Sequence, residues 1–404
     1  MSRKLFVGVA VVVGLVVPMG ATIASLPSAS AATGTVVRAP ITTAPITTAL
    51  VQGADTWLVV PMGDLSQFLN RFWQLFVRTP TGAGWVLVTP PGVADNGGLV
   101  ITPGPDGWLL AGFLANQDLV FSPLSLTTDG GQKWTGVYFP DALAPVPDSL
   151  GGTIGDTTAG LGSSGRGSLL ETGADLSSLS SWRPAMTAAQ LGHSAAGARC
   201  GVERLTATAM APNGDPLLGA SCAHRGVVGL FDVAAGGVTA VAFPRSSTLA
   251  GATVSVLRLV ETTSGVAVLL GARERSGSTM LVAGWLAPSG QAGAPSVPLA
   301  VPAGAKLLAS GTTPGGGVFV LLQPVGTSAP ELADVSPASG SAKPSWVVPP
   351  PPPRGTLGAA FSPGRIDAVT VHSSTLIDYV FDETSSTWVR AQVVHVPIQY
   401  GSSS

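Results

Sequence analysis

A strand–turn–strand pattern recurs along the chain and constrains the fold more than any other feature of the sequence. Clear copies span residues 99–112, 207–220, 259–270, 310–322 and 360–371. Weaker copies centre on residues 53–55 and 155–170. Each copy places Gly, Pro, Asp or Asn between two runs of Leu and β-branched residues, which is the signature of a tight β-hairpin. The dispersed 52 Gly and 34 Pro also argue against long helices.

The copies recur at intervals of roughly 45 to 55 residues, which suits one four-stranded blade of a β-propeller. Counting from Gly34 divides the chain into units at 34–92, 93–144, 145–187, 188–245, 246–302, 303–353 and 354–404. The sequence therefore predicts an all-β, seven-bladed β-propeller of short antiparallel four-stranded sheets. Six or eight blades remain alternatives, because the units at 145–187 and 188–245 are irregular. We expect Val36 and Val37 to close the ring beside the last unit, since closure removes free sheet edges.

A tryptophan marks the later part of most units. Each of these residues follows a Gly-, Ser- or Pro-rich turn and opens a new run: Trp85, Trp134, Trp182, Trp346 and Trp388. A large aromatic side chain at one place in each unit favours packing between adjacent blades. The alternative is that these tryptophans mark ordinary strands.

The N-terminus has the three parts of a secretory signal. Residues 3–4 are basic, residues 5–17 form a thirteen-residue apolar run that ends at Pro18, and small residues lead to Ala31. The alternative, an uncleaved anchor, is disfavoured because a helix needs about twenty apolar residues to cross a bilayer. We expect a signal peptide at 1–31, one propeller domain at 32–404 and a secreted, extracellular protein. Four prolines interrupt the long charge-free stretch at 276–305, so we expect no membrane span after cleavage.

The two cysteines, Cys200 and Cys222, are predicted to form a disulfide in an exported chain. The bond would close a loop of about 23 residues and stabilise the fold by roughly 3 kcal/mol. Two free buried thiols are the alternative. The predicted hairpin does not pair these positions directly, so Cys200 would have to fold back from the loop that precedes it. The four histidines show no metal-ligand spacing with the cysteines, and we predict neither a metal nor a cofactor.

Charge is sparse, at 10% of residues with a net charge of −2. A disordered chain and an electrostatic nucleic-acid binder are therefore both excluded, since the first needs charge excess and the second a basic patch.

One short motif is specific. Thr127, Asp129, Gly131 and Trp134 fit the pattern Ser/Thr-x-Asp-x-Gly-x-x-Trp. The pattern resembles the Asp-box, or BNR repeat, of sialidase-like β-propellers. This resemblance implies a structural turn in which the Asp carboxylate accepts backbone N–H groups, Gly allows positive φ and Trp anchors the hairpin. Related segments at 79–85 and 381–388 depart from the pattern, the first lacking Asp and the second carrying Glu and Ser.

The resemblance would also imply a catalytic set of three Arg, a Tyr with a Glu base, and an Asp acid. The family's Phe-Arg-Ile-Pro segment is absent, and Tyr occurs three times in the whole chain. Arg183, Arg204 and Arg258 lie in different units and could converge. No nucleophile elbow, P-loop or dinucleotide fingerprint is present. We therefore predict no catalytic residues.

Two further segments each have two possible interpretations. Residues 65–77 fit an amphipathic helix, but the later half also alternates as a strand, and we favour a loop to Asn70 followed by a strand. The five prolines at 349–353 predict an extended segment that links two blades, with a partner ligand as the alternative.

The sequence favours a secreted bacterial propeller that acts as a non-enzymatic binding or scaffold protein at the cell exterior. Its expected partner is a glycan or another exported protein, and we expect a monomer. The rival function is an extracellular glycoside hydrolase of sialidase type, which would place carboxylates opposite Arg around the central channel. A third possibility is a cell-surface assembly factor with an exposed aromatic patch.

Overall fold

The computed structural model describes most of the chain from residue 47 to residue 397. The described ranges are 47–66, 71–91, 97–104, 107–114, 122–154, 157–163, 168–172, 181–244, 246–327, 329–339 and 342–397. The predicted signal peptide at 1–31 and the predicted closing residues Val36 and Val37 lie outside them. Within these ranges, no helix has the length and apolar character that crossing a membrane requires.

The strands follow one another as antiparallel up-and-down meanders, in which each strand pairs with the next along the chain. The first meander contains β1 (Thr47–Gln52), β2 (Asp55–Gly63), β3 (Arg71–Arg78) and β4 (Val86–Leu87). The second contains β5 (Leu99–Pro103), β6 (Leu109–Phe113), β7 (Ser122–Thr127) and β8 (Thr135–Phe139). The third contains β9 (Leu150–Ile154), β10 (Thr157–Gly162), β11 (Ser168–Thr172) and β12 (Arg183–Thr187).

The second half of the chain continues in the same way. The fourth meander contains β13 (Val202–Met210), β14 (Pro216–Cys222), β15 (Gly229–Ala234) and β16 (Gly237–Ala240). The fifth contains β17 (Thr253–Thr262), β18 (Gly265–Arg273), β19 (Thr279–Leu286) and β20 (Leu299–Val301). The sixth contains β21 (Lys306–Thr312), β22 (Val318–Gln323) and β23 (Glu331–Val335), with a bridge from Asp334 to Val347. The last contains β24 (Thr356–Ser362), β25 (Arg365–His372), β26 (Thr375–Asp382) and β27 (Thr387–His395).

The five clear hairpins expected from the sequence are all present. They are β5–β6, β13–β14, β17–β18, β21–β22 and β24–β25. The strand expected after Asn70 is present as β3, which begins at Arg71, and residues 67–70 of the expected loop lie outside the described residues. Turn residues between apolar runs were thus sufficient to locate the hairpins.

Two sheets are larger than the four-stranded sheets that the sequence predicted. β1 pairs in parallel with β21, from Thr47 opposite Ala309 to Ala49 opposite Gly311, and this joins the first and sixth meanders. A Cβ at position 311 would lie 2.0 Å from the Ala49 carbonyl oxygen, so glycine permits this approach. A single pair, Ser221 with Ser255, joins the fourth and fifth meanders in a second large sheet.

The core lies between consecutive meanders, because most strands bury both faces. In β2, Trp57 and Val59 pack with residues of the second meander such as Leu109. Their neighbours Leu58 and Val60 face the opposite way and pack with apolar residues of the last meander. Alternate side chains of a strand point to opposite faces, so strands covered on both sides are continuous apolar runs in the sequence.

The tryptophans contact the meander that precedes their own, as packing between blades requires. Trp182 packs edge-on against Phe139 of the second meander, with the ring centroids 4.8 Å apart. Trp134 contacts the cluster that contains Trp57 and Trp73 of the first meander. The Trp388 indole N–H donates to the carbonyl oxygen of Pro350, within the proline segment that precedes β24.

Within the described residues, three short helices interrupt the strands: α1 (Ala188–His193), α2 (Ala195–Cys200) and α3 (Ser247–Ala250). Thr187 and Gln190 form a capping box at the start of α1. Ser194 caps α2, which ends at Gly201 in the left-handed conformation. The helices α1 and α2 explain why the unit at 188–245 was irregular in the sequence, and α2 carries Cys200.

Candidate functional site

A buried ion pair connects the first strands of several meanders. The Arg258 guanidinium of β17 donates from Nε and Nη2 to the two carboxylate oxygens of Asp148, at 2.7 and 2.8 Å. Its Nη1 donates to the backbone oxygen and hydroxyl of Ser310 in β21. Asp148 also accepts the Leu259 N–H at 2.8 Å. Because both charged groups are buried, this bidentate pairing offsets the desolvation of each.

Glu261 lies three residues further along β17 and connects three more strands. Its carboxylate accepts the N–H groups of Gly152 in β9 and Met210 in β13. It also accepts the Thr102 hydroxyl of β5, at 3.1 Å. Glu261 as a whole is half-buried, but its carboxylate is surrounded by protein. The resulting desolvation raises the pKa of the carboxyl group to about 7, although the hydrogen bonds that it accepts act to lower it.

These two groups form what we call the first-strand network: Asp148, Arg258, Glu261 and their partners. A carboxylic acid with a pKa near 7 beside an ionised carboxylate can in principle serve as a general acid. Every oxygen of Glu261, however, already accepts a hydrogen bond from the fold. Of the three arginines expected to converge, Arg258 belongs to this network, whereas Arg183 lies exposed in β12 and Arg204 of β13 donates to Ser221.

A second polar cluster lies between the first and last meanders. Arg78 of β3 donates to Asp367 of β25 at 2.6 Å and stacks over the Trp85 ring, 4.5 Å from its centroid. Arg365 bridges Asp367 and Asp378, at 2.8 and 2.9 Å. Burial and the neighbouring Asp367 raise the pKa of Asp378. These side chains are paired with one another across an interface and hold it together.

The predicted Asp-box residues form a hydrogen-bonded turn between β7 and β8. The Asp129 carboxylate accepts the Lys133 N–H at 2.9 Å and the Thr127 hydroxyl at 3.0 Å, and these bonds lower its pKa. The Thr127 hydroxyl in turn accepts the Gly131 N–H at 3.0 Å. Gly131 has a φ of +84°, and a Cβ there would meet Val88 at 2.7 Å. Trp134 is half-buried against the first meander.

The disulfide Cys200–Cys222 is present, with a Cα–Cα distance of 4.9 Å. Register places Val202 opposite Cys222, so Cys200 reaches its partner from the end of α2 and not from a loop. The bond fixes the end of α2 against the end of β14. In the sequence, Arg199 precedes Cys200 directly and Arg225 follows Cys222 by three residues. Both arginines lie at the rim of the cleft described next.

A cleft of about 730 Å³ lies between α2, β15, β16 and α3. Its floor is apolar and includes the buried side chains of Phe231 and Leu249. Half-buried Val228 and Phe243 extend the apolar surface. Sequence reasoning did not find this cleft, because its residues are spread over 196–250 and two of its walls are helices shorter than seven residues.

Two exposed arginines, Arg199 and Arg225, line this cleft. Arg199 donates from Nε to the Ala195 carbonyl oxygen at 3.3 Å, and Arg225 donates from Nη1 to the Gly251 carbonyl oxygen at 2.9 Å. In the part of the chain that the structure describes, neither forms a salt bridge. Among the described residues that line the cleft, none is acidic. An apolar floor with a cationic rim is suited to an organic anion.

The described residues contain no group of three or more His, Cys, Asp or Glu side chains that could hold a metal ion.

Comparison with known proteins identifies the fold of the chain. No protein-family model matches the chain, and no curated protein matches it in sequence. Among solved structures it is similar to the periplasmic gluconolactonase PpgL of Pseudomonas aeruginosa, with a TM-score of 0.51 and 16% identity. That similarity covers 85% of this chain and 96% of the gluconolactonase. The fold is that of a β-propeller.

A second similarity is to the GH74 xyloglucanase from Xanthomonas campestris, with a TM-score of 0.50 and 14% identity. It covers 84% of this chain but 52% of the xyloglucanase, so the chain spans about half the length of that enzyme. At these identities the similarities show the propeller fold alone, and the chemistry has to be argued from this chain's own residues.

Proposed function

We propose that the mature protein is a single seven-bladed propeller, residues 32–404, that is exported after removal of a signal peptide at 1–31. Each meander would be one blade, with its first strand innermost. The contacts among the first strands β5, β9, β13, β17 and β21 support this arrangement. The disulfide supports export, because such bonds persist in oxidising compartments.

We propose further that this propeller is a non-enzymatic binding or scaffold protein at the bacterial cell exterior. The observation that carries this proposal is the internal engagement of the first-strand network. Asp148 is held by both arms of the Arg258 guanidinium, and Glu261 accepts three donors from three strands. Side chains whose polar atoms are hydrogen-bonded within the fold join neighbouring blades, and they are not positioned to contact a substrate. A glycan or another exported protein remains the expected partner, and the protein acts as a monomer without a cofactor.

The test is hydrolysis of a fluorogenic glycoside panel by purified protein that begins at Ala32. The panel contains sialosides and xyloglucan oligosaccharides, and the hydrolysis of an aldonolactone is followed separately by the acid that it releases, since the two similar structures are a xyloglucanase and a gluconolactonase. We expect no turnover above that of heat-unfolded protein. Turnover that is lost in Glu261→Gln or Asp148→Asn, with the fold retained, would overturn the binding function.

One observation favours the second candidate, an extracellular glycoside hydrolase. The pKa of Glu261 is raised to about 7, and Asp148, which is paired with Arg258 of the same strand as Glu261, lies near it. In a glycosidase such a group would protonate the leaving oxygen. If this function is correct, the pH profile of turnover would fall above pH 7, and Glu261→Gln would abolish the activity.

For Thr127, Asp129, Gly131 and Trp134 we propose a structural role as an Asp-box. The turn hydrogen bonds support it, because the Thr127 hydroxyl and the Asp129 carboxylate both form hydrogen bonds within the hairpin. The motif would then contribute to stability and leave ligand binding unchanged.

A further inference from the structure

We propose that the cleft between α2, β15, β16 and α3 binds a small organic carboxylate with an apolar body. The apolar part of the ligand would lie on Phe231, Leu249 and Val228, and its carboxylate would bind Arg199 and Arg225. The proposal goes beyond the proposed function, because it assigns a class of small-molecule ligand to a site outside the first-strand network.

The size and lining of the cleft suit this ligand. Small-molecule sites are typically concave, about 300–1,000 Å³ in volume and mostly apolar, with a few placed polar groups. The cleft, at about 730 Å³, has this character: apolar side chains form its floor, and the hydroxyls of Ser246 and Ser247 add to its polar edge.

The charge of the rim selects an anion. A guanidinium has five N–H donors. The hydrogen bonds to the Ala195 and Gly251 carbonyl oxygens use one donor of Arg199 and one of Arg225. Both residues are exposed, and neither forms a salt bridge within the described residues. A carboxylate would therefore meet hydrated donors and would not have to displace an internal acidic partner.

The fold holds the two arginines in place. Cys200 follows Arg199 directly, and its disulfide to Cys222 fixes both chain segments. The Arg199 carbonyl oxygen lies 3.1 Å from the His224 Nδ1, next to Arg225. Gly226 follows at a φ of +76°, where a Cβ would lie 2.8 Å from the Ala250 carbonyl oxygen. Glycine at this position lets the Arg225 segment approach α3 and narrows the cleft.

The test compares octanoate with 1-octanol, which has the same chain length but no charge. Binding to the disulfide-bonded protein from Ala32 is measured by isothermal titration calorimetry. We expect octanoate to bind at least about tenfold more tightly than 1-octanol, because a hydrogen bond to a charged group is stronger than a neutral one. Arg199→Ala and Arg225→Ala should each weaken octanoate binding by about tenfold and leave 1-octanol unchanged.

Two further variants locate the site. Ser247→Trp places a large side chain at the exposed edge of the cleft and should abolish binding of both compounds. Arg275→Ala removes an exposed arginine from the turn between β18 and β19, outside the cleft lining, and should leave binding unchanged. Far-ultraviolet circular dichroism and the melting temperature establish that each variant is folded.

Equal affinity for octanoate and 1-octanol would overturn the proposal, as would binding that survives Ser247→Trp or a complete lack of binding. These outcomes leave the non-enzymatic function standing, because that function is tested separately by turnover of the glycoside panel. If the panel is turned over and octanoate binding depends on Arg199, the non-enzymatic function is overturned, but the assignment of a carboxylate site to the cleft is supported.

Discussion

Arginine serves two different purposes in two regions of this molecule. In the first-strand network, Arg258 is buried and engages Asp148 with two hydrogen bonds. At the cleft, Arg199 and Arg225 are exposed and form no salt bridge among the described residues. A buried guanidinium must be paired because its desolvation is costly, whereas an exposed one stays hydrated and keeps donors for a ligand. The first region therefore holds the fold, and the second provides a surface for recognition.

The largest expected effect follows from breaking the buried pair. Arg258→Met leaves Asp148 buried without its counter-charge and should lower the free energy of unfolding by about 3–5 kcal/mol. The same substitution at the cleft, Arg199→Met, should change it by less than about 0.5 kcal/mol. Urea unfolding followed by tryptophan fluorescence measures both. Similar losses in the two variants would contradict the comparison.

A double variant sharpens this result. Replacing both partners, Arg258→Met with Asp148→Leu, removes the uncompensated charge, so much of the stability should return. If the double variant is as unstable as Arg258→Met, the loss arises from packing and not from the unpaired carboxylate.

The next effect comes from cutting the disulfide that supports the cleft. Cys200→Ala with Cys222→Ala should lower the free energy of unfolding by roughly 3 kcal/mol, since the bond constrains the unfolded chain. It should also weaken octanoate binding, because Arg199 and Arg225 are adjacent to the bonded segments. Reduction of the wild-type protein should reproduce both losses and should leave the double variant unaffected. A reduced wild-type protein with unchanged stability would rule out this role of the disulfide.

Because Glu261 belongs to the first-strand network, the stability that this network contributes should depend on pH, whereas ligand binding at the cleft should not. The pKa of Glu261 is raised from 4.5 to about 7, so the folded state binds the proton more tightly than the unfolded state. The stability that this proton contributes is present below about pH 4.5 and is lost as the pH rises through about 7. The loss should be on the order of 1–3 kcal/mol. Asp334, whose pKa is raised to about 6 by burial, adds a change of the same sign.

Glu261→Gln tests this assignment. The free energy of unfolding of the wild-type protein should decrease between pH 5 and pH 8, and the variant should show a shallower decrease. Octanoate binding to Arg199 and Arg225 should stay constant over the same range, since arginine remains protonated. An unchanged slope in the variant would contradict a raised pKa at Glu261.

The smallest effect is expected at the Asp-box turn, which belongs to neither region. Asp129→Ala removes the acceptor of the Lys133 N–H and should lower the free energy of unfolding by about 1 kcal/mol. Gln132→Ala, an exposed residue of the same turn, serves as the matched control and should have little effect. Octanoate affinity should be the same in both variants. A loss of affinity in Asp129→Ala would connect the turn to binding and contradict its structural role.

Local features of the fold could be predicted from the sequence, because each depends on residues close together in the chain. The hairpins β17–β18 and β21–β22 follow from turn residues between apolar runs. The disulfide followed from the pair of cysteines together with the predicted export signal. The parallel pairing of β1 with β21 could not be predicted, since it joins segments about 260 residues apart and depends on Gly311.

The functional regions were harder to predict for the same reason. Asp148, Arg258 and Glu261 had no local signature, and only the arrangement of the first strands brings them together. The cleft arginines flank the two cysteines in the sequence, which is the one signal that could have drawn attention to them. Their exposure and the apolar floor beneath them depend on α2 and α3, which were too short to produce a helical pattern.

The most direct test of the central comparison is mapping of arginine reactivity with phenylglyoxal, read residue by residue by peptide mass spectrometry. We expect Arg199 and Arg225 to react with phenylglyoxal before Arg258 does, and we expect octanoate to protect them. Arg258 should stay unmodified until the protein unfolds. Modification of Arg258 at the rate of Arg199, or no protection by octanoate, would contradict the division between a paired arginine that holds the fold and exposed arginines that bind a ligand.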